Sequence, residues 1–267
     1  MRSYLFVPGT RPDRFEKALA SGADEVILDL EDAVPDGQKL EARQSVAGWL
    51  RADRPVYVRV NAPGTPWYEG DLGAVIRPGL RGVVLPKAQT PSELSVLAAA
   101  LPAGVSILPI VESALGLWRA HEIAASPRVE RLAFGHIDFS LDTGAEDEEL
   151  LYARSHIVVA SRVAGVMPPL DGVTTVLDDQ SLLLGDIERA RKLGFGGKLC
   201  IHPNQVAAVN DAFRPTAAQV EWARRVMQAA DEAGGAATRV DGQMVDKPVV
   251  EQARRILQRA NDPDARR

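Results

Sequence analysis

Apolar and polar positions alternate along this chain in blocks rather than residue by residue. Continuous apolar runs occupy residues 4–7, 26–30, 56–60, 82–85, 106–111, 131–135 and 198–201, with a weaker one at 172–176. A run without internal alternation is the mark of a strand buried on both faces, as in a parallel sheet covered by helices. Amphipathic stretches lie between the runs. Phe15, Ala18, Leu19 and Gly22 fall at helical spacing, with Thr10 and Asp13 placed as caps and Pro12 in the first turn. Leu94, Leu97, Ala98 and Leu101 repeat the spacing, as do Leu117, Ala120, His121 and Ala124. Eight such β–α alternations within ~200 residues predict an α/β fold closed into a (β/α)8 TIM barrel. An open doubly wound sheet usually carries a G-x-G-x-x-G turn after its first strand. Here that position reads Val7-Pro8-Gly9-Thr10-Arg11-Pro12.

The chain continues beyond the eighth run. Helices are expected at about 203–213, 216–233 and 248–259. Gly234-Gly235-Ala236-Ala237 reads as a joint, and the Asp241-Gly242 pair signals a tight hairpin. Residues 262–267 are expected to fray. The predicted organisation is a barrel over residues 1–213 and a C-terminal helical and hairpin extension over 214–267, placed as a lid over a neighbouring active site or as an oligomer contact.

Composition changes this picture little. The chain has 267 residues, 46% hydrophobic, which suits one large α/β domain with a sizeable core. A net charge of −5 implies no basic surface and disfavours nucleic acid as a partner. No apolar run approaches the ~18 to 20 residues of a membrane span. The single cysteine, Cys200, agrees with a reducing cytoplasm and reads as a buried strand residue. Gly194-Phe195-Gly196-Gly197-Lys198 precedes a strand instead of following one, so it is a helix-to-strand turn rather than a phosphate loop. Trp118 and Trp222 are expected in packed helix faces.

The chemistry sits where the apolar runs end. In a barrel the active site lies at the carboxyl ends of the strands. Those ends deliver Asp29-Leu30-Glu31-Asp32, Arg59-Val60-Asn61, Pro86-Lys87, Glu112-Ser113, His136-Ile137-Asp138 and His202-Pro203. Glu112 and Asp138, from adjacent strands, suit Mg2+, a hard cation that takes a few carboxylates and keeps open positions for water and substrate oxygens. The histidines lack zinc-site spacing. Arg59 offers a fork to a substrate carboxylate or a forming enolate oxygen, and is equally suited to pair with Asp29 or Glu31. Asp29, Glu31 and Asp32 carry more charge than one ion needs, so some of them are expected to orient Arg59 or ordered water. Lys87 either faces the site or pairs with an acidic neighbour.

These motifs resemble the citrate lyase β-subunit family. Residues 2–9, Asp29-Leu30-Glu31-Asp32-Ala33-Val34, Val58-Arg59-Val60-Asn61, Leu85-Pro86-Lys87, Val111-Glu112-Ser113, Phe134 through Asp138 and Ile201-His202-Pro203-Asn204-Gln205 appear in that family's order. The family is grouped with malyl-CoA and citramalyl-CoA lyases. The resemblance implies Mg2+ on Glu112 and Asp138, and Arg59 on the keto-acid part of the substrate. It also implies that Arg11 and Lys17 face CoA phosphates and that Asp246 is a C-terminal acid/base. Many members read Gly-Ala-Glu-Asp where this chain has Gly135-His136-Ile137-Asp138, a change that bears on the substrate more than on the metal.

The implied reaction is cleavage of a citryl-CoA-like 3-hydroxy-3-carboxyacyl thioester, on CoA or an acyl carrier, to acetyl-CoA and a 2-oxo acid. Citramalyl-CoA and malyl-CoA are the alternative esters. A CoA-free class II pyruvate aldolase and a non-enzymatic subunit are the competing readings. The resemblance further implies a homotrimer or hexamer, or citrate lyase partner subunits.

Overall fold

The computed structural model describes residues 1–146, 149–234 and 236–261. Gly235 of the expected joint and the expected frayed end, 262–267, lie outside the described residues. The chain divides into two compact units, Met1–Asn210 and Asp211–Arg267.

The first unit is a closed barrel of eight parallel strands in sequence order. They are β1 (Ser3–Pro8), β2 (Glu25–Asp29), β3 (Val56–Arg59), β4 (Leu80–Leu85), β5 (Ser106–Val111), β6 (Ala133–Phe134), β7 (Leu170–Asp171) and β8 (Gly197–Cys200). Pairing of Tyr4 with Leu199 closes the ring. The helices that follow are α1 (Phe15–Leu19), α2 (Lys39–Trp49), α3 (Tyr68–Val75), α4 (Pro91–Ala100), α5 (Ala114–Trp118), α6 (Ala120–Ala124), α7 (His136–Thr143), α8 (Leu151–Ala164), α9 (Gln180–Leu193) and α10 (Pro203–Ala212).

Strand side chains alternate between the barrel interior and the helix layer. Tyr4, Ile27, Tyr57, Val84, Leu108 and Leu199 share one buried interior cluster. Gly82 makes room within it, because a Cβ there would lie 2.4 Å from the Tyr57 ring. Counting two residues onward from Ile27, Tyr57 and Ile110 reaches Asp29, Arg59 and Glu112. The same period that packs the interior therefore carries these three charges to the carboxyl-terminal mouth.

Four expectations differ from the structure. The seventh strand is the pair Leu170–Asp171, ahead of the weak run at 172–176. Its Asp171 is fully buried and held by Arg154 at 3.1 Å, so a charged residue stands where an apolar one was sought. The helix expected across Leu117 to Ala124 is two pieces, because Arg119 leaves helical geometry at φ −101°, ψ 13°. Spacing across that break does not report one face. Trp118 is 76% exposed and His121 is exposed, while Ile123 is buried. Thr10 and Asp13 do not cap α1 or the 3₁₀ turn before it. Cys200 is fully buried as expected, and burial pushes its thiol up to about 12. Gly194 ends α9 in the left-handed conformation, φ 102°, as the turn reading requires.

In the second unit, α11 (Ala217–Glu232) opens on a capping box between Thr216 and Gln219. The hairpin β9 (Thr238–Val240) and β10 (Gln243–Val245) turns through Asp241 and Gly242, both with positive φ. Helix α12 (Lys247–Asn261) follows. Ala223, Val226, Val245 and Ala253 form this unit's own buried cluster, with the half-buried Trp222 packed against it.

Candidate active site

Asp29 and Arg59 are register partners on β2 and β3, and their side chains meet as a fork. Arg59 Nε and Nη2 donate to the two Asp29 carboxylate oxygens at 2.7 and 2.6 Å. Its Nη1 lies 2.9 Å from Glu31 Oε2 and 3.7 Å from Asp32 Oδ2. The guanidinium also lies over the Phe6 ring, 4.7 Å from its centroid. These carboxylates hold the Arg59 cation above its already high ordinary pKa, against the opposing pull of burial. Arg59 is thus anchored by Asp29 and Glu31, and it also lines the cavity at the mouth.

Lys87 ties the second half of the site together. It follows β4 in the left-handed conformation, φ 51°, which is uncommon for a residue with a Cβ. Its backbone N–H donates to Glu112 Oε1 at 2.6 Å, and its Nζ donates to Glu31 Oε1 at 2.6 Å. The same Nζ stands 3.8 Å from both Asp32 Oδ1 and Asp138 Oδ1. Lys87 therefore does face the site and pairs with its acids.

Glu112 is 4% exposed, and burial raises its carboxyl to about 8, helped by the negative charges of Asp138 and Glu31. Glu31 is likewise raised by burial, with Arg59 and Lys87 opposing. A buried carboxylate pressed by two others is a site in want of a cation. Asp138 stands in the first turn of α7, whose cap is Gly135 and carries no side-chain hydrogen bond. Gly135 has no alternative at its position. A Cβ there would lie 2.2 Å from Glu112 Oε2. Among the described residues no three His, Cys, Asp or Glu side chains converge as a metal cage. Two carboxylates with open positions is the donor set that Mg2+ accepts.

The structure brings together Asp29, Glu31, Asp32, Arg59, Lys87, Glu112 and Asp138. It leaves Arg11 closed on Asp13 in a two-pronged pair at 2.9 Å, and Lys17 exposed on α1. Asp246 belongs to the second unit, where its Oδ1 accepts the Val249 N–H at 3.3 Å at the start of α12. Sequence reading missed Lys39, whose buried Nζ donates to the Leu30 and Glu31 carbonyls and to Asn61 Oδ1. It also missed Asp71, which accepts from the Asn61 side chain and from Arg43. Those residues brace the loop bearing Glu31 and Asp32. Their only sequence signal is a lysine and an aspartate within helical stretches.

Residues 2–203 match the HpcH/HpaI aldolase/citrate lyase family model, and residues 151–262 match that of the C–C bond lyases of the TIM-barrel fold. The chain belongs to the HpcH/HpaI aldolase/citrate lyase family. It is an enzyme of the carbon–carbon lyase class. A citrate lyase subunit beta-like protein of Deinococcus radiodurans is 41% identical over 275 residues, with 96% of each chain covered. A (3S)-malyl-CoA thioesterase of Cereibacter sphaeroides is 33% identical, covering 97% of this chain and 94% of the relative. A crystal structure of CitE from Mycobacterium tuberculosis with magnesium, acetoacetate and coenzyme A superposes with a TM-score of 0.87 at 35% identity, covering 98% of both chains. The lyase family resemblance drawn from seven motifs is thus met over nearly the whole chain.

Proposed function

We propose that this lyase cleaves the CoA thioester of a 3-hydroxy acid that carries a carboxylate on carbon 3, the class of citryl-, citramalyl- and malyl-CoA. The observation that carries the reading is the buried Glu112, held by the Lys87 N–H and crowded by Asp138 and Glu31 beside the anchored Arg59. Magnesium and CoA in the related CitE structure support it.

Glu112 and Asp138 would hold Mg2+, which supplies Lewis acidity toward the hydroxyl and carboxylate oxygens of the substrate. The side chains do the rest. The backbone N–H groups that open α7, which has no side-chain cap, are proposed for the substrate carboxylate. Arg59 has five N–H donors and gives two to Asp29, while its Nη1 forms an ion pair with Glu31, leaving others for the oxygen that gains charge. Asp32 is the least enclosed of its cluster, with 55% of its side chain exposed, and is our candidate for the hydroxyl proton. As that proton leaves, the bond between carbons 2 and 3 breaks and carbon 3 becomes the carbonyl of a 2-oxo acid. The electron pair stays on carbon 2 as the thioester enolate, which takes a proton to give acetyl-CoA. Asp246 is the proposed donor of that proton, and the second unit the proposed lid over a neighbouring copy's active site. Arg11 and Lys17 are proposed for the CoA phosphates, with Arg11 exchanging Asp13 for phosphate.

Exposed apolar side chains such as Trp118, Leu141, Tyr152 and Val163 support assembly into a homotrimer or hexamer. Citrate lyase partner subunits and an acyl-carrier thioester are the variant of this proposal suggested by the citrate lyase relatives. The single buried cysteine supports a cytoplasmic location.

Product analysis tests the reading. Purified chain with Mg2+ should convert the three esters to acetyl-CoA and a 2-oxo acid. Free CoA and an intact hydroxy acid would instead identify a thioesterase, the activity named for the Cereibacter relative.

A further inference from the structure

Glu31 and Asp32 reach the barrel mouth on the short loop that follows β2. On its open side, Glu31 meets Arg59 Nη1 at 2.9 Å and Lys87 Nζ at 2.6 Å. Asp32 stands 3.7 and 3.8 Å from the same two cations. On its inner side the loop rests on Lys39, the first residue of α2, which is 5% exposed. An ammonium has three N–H donors, and Lys39 meets three oxygens. They are the Leu30 and Glu31 carbonyls, each at 2.9 Å, and Asn61 Oδ1 at 2.7 Å. The ammonium also lies over the Trp67 ring, 5.1 Å from its centroid.

Asn61 carries this arrangement on to the helix layer. It is buried and stands two residues beyond Arg59. Its Nδ2 donates to the Leu30 carbonyl at 3.0 Å and to Asp71 Oδ2 at 2.6 Å. Asp71, on α3 and fully buried, also accepts the Asn61 backbone N–H at 3.0 Å and Arg43 Nε at 2.7 Å. The Asn61 amide has one workable orientation. Turned over, it would set its NH2 against the Lys39 ammonium and its oxygen against the Asp71 carboxylate. Arg43, Asp71, Asn61 and Lys39 thus form one continuous chain from two helices to the loop carbonyls. None of the four is among the described residues that line the cavity. Glu112 is held separately, by the Lys87 N–H, and Asp138 by its place in the first turn of α7.

Loss of the ammonium does not strip the loop of its other bonds. The Leu30 carbonyl keeps Asn61 Nδ2, and the Glu31 carbonyl keeps the Val34 N–H at 2.9 Å. What changes is how firmly the loop presents its two acids, and a misplacement of about 1 Å at a reacting group costs about 100-fold in rate. Resting on the lyase reading above, we infer that Lys39, held by Asn61 and Asp71, is a positioning residue for turnover. It sets the stance of Glu31 and Asp32 against Arg59 and Lys87, and leaves Mg2+ to Glu112 and Asp138.

The test uses Lys39→Met, which keeps a long side chain and removes its donors, beside Asp71→Asn and the double variant. Four quantities are measured on each folded chain: kcat and KM on the fastest of the three esters, Mg2+ binding by calorimetry, and amide hydrogen exchange over residues 30–34. Lys39→Met should lower kcat about 10- to 100-fold, with KM and Mg2+ affinity as in the parent and faster exchange in the loop. Asp71→Asn should lower kcat as well. The double variant should lose less than the product of the two single losses, because both act through Asn61. Parental kcat in a folded Lys39→Met chain would overturn the inference and leave the lysine a stability residue. Loss of Mg2+ binding along with kcat would overturn it too, since the whole mouth would then depend on Lys39. If Lys39→Met does not fold, Asp71→Asn decides: lowered kcat at parental KM supports the inference, and parental kcat overturns it. Cleavage of none of the esters by the parent would sink the lyase reading instead. Hydrogen exchange then judges the positioning role alone, with parental exchange at residues 30–34 in Lys39→Met overturning it.

Discussion

Glu25 begins β2, in register with Tyr4, and is 7% exposed. Burial raises its carboxyl to about 7, with Arg81 and the chain terminus pulling the other way. The sign follows from proton linkage. The folded chain holds this proton more tightly than the unfolded chain, so the contribution is fully present below about pH 4.5 and is lost as pH rises to about 7. Glu25→Gln cannot ionise and removes that loss. Its gain over the parent should approach ~3 kcal/mol at pH 8 and shrink toward zero near pH 4.5. Urea unfolding at both pH values checks this, and an equal gain at both would show that the carboxyl does not titrate in this range. At this scale the sequence showed where the charges stand but not how they divide. Asp29, Arg59 and Glu112 were legible because each ends an apolar run at period two from an interior residue. The left-handed backbone of Lys87 and the need for glycine at 135 were not, because both depend on Glu112 arriving from another strand.

At the scale of elements, the strands were legible wherever both faces are apolar. The seventh was displaced because two residues suffice for it and one is Asp171, paired with Arg154. The split between α5 and α6 was hidden because Arg119 carries no breaker signal in its side chain. The hairpin at Asp241-Gly242 was plain, since positive φ at both positions is what that dipeptide supplies. Asp246, just after β10, has two candidate roles, and paired substitutions separate them. As a helix cap it accepts from Val249, a task asparagine performs equally well. Asp246→Asn should keep the melting temperature and lower kcat by about 100-fold or more if the carboxyl protonates the enolate. Asp246→Ala should cost about 1 kcal/mol of stability as well. Full activity in Asp246→Asn would leave the residue a cap and nothing more.

The whole molecule is an ordinary acidic chain of 267 residues with net charge −5, and none of its described helices is long and apolar enough to cross a membrane. Its unusual feature is local. Five carboxylates gather at one end of the barrel around two cations, an arrangement whose electrostatic cost a bound divalent ion would relieve. The central claim is that Glu112 and Asp138 hold this ion for carbon–carbon cleavage. Its most direct test is acetyl-CoA release from citramalyl-CoA by the parent, Glu112→Gln and Asp138→Asn chains, each titrated with Mg2+ beside a calorimetric measurement of Mg2+ binding. The account predicts release that depends on Mg2+ in the parent, with both binding and turnover lowered about 100-fold or more in each variant. Parent-like Mg2+ binding and turnover in either variant would contradict it.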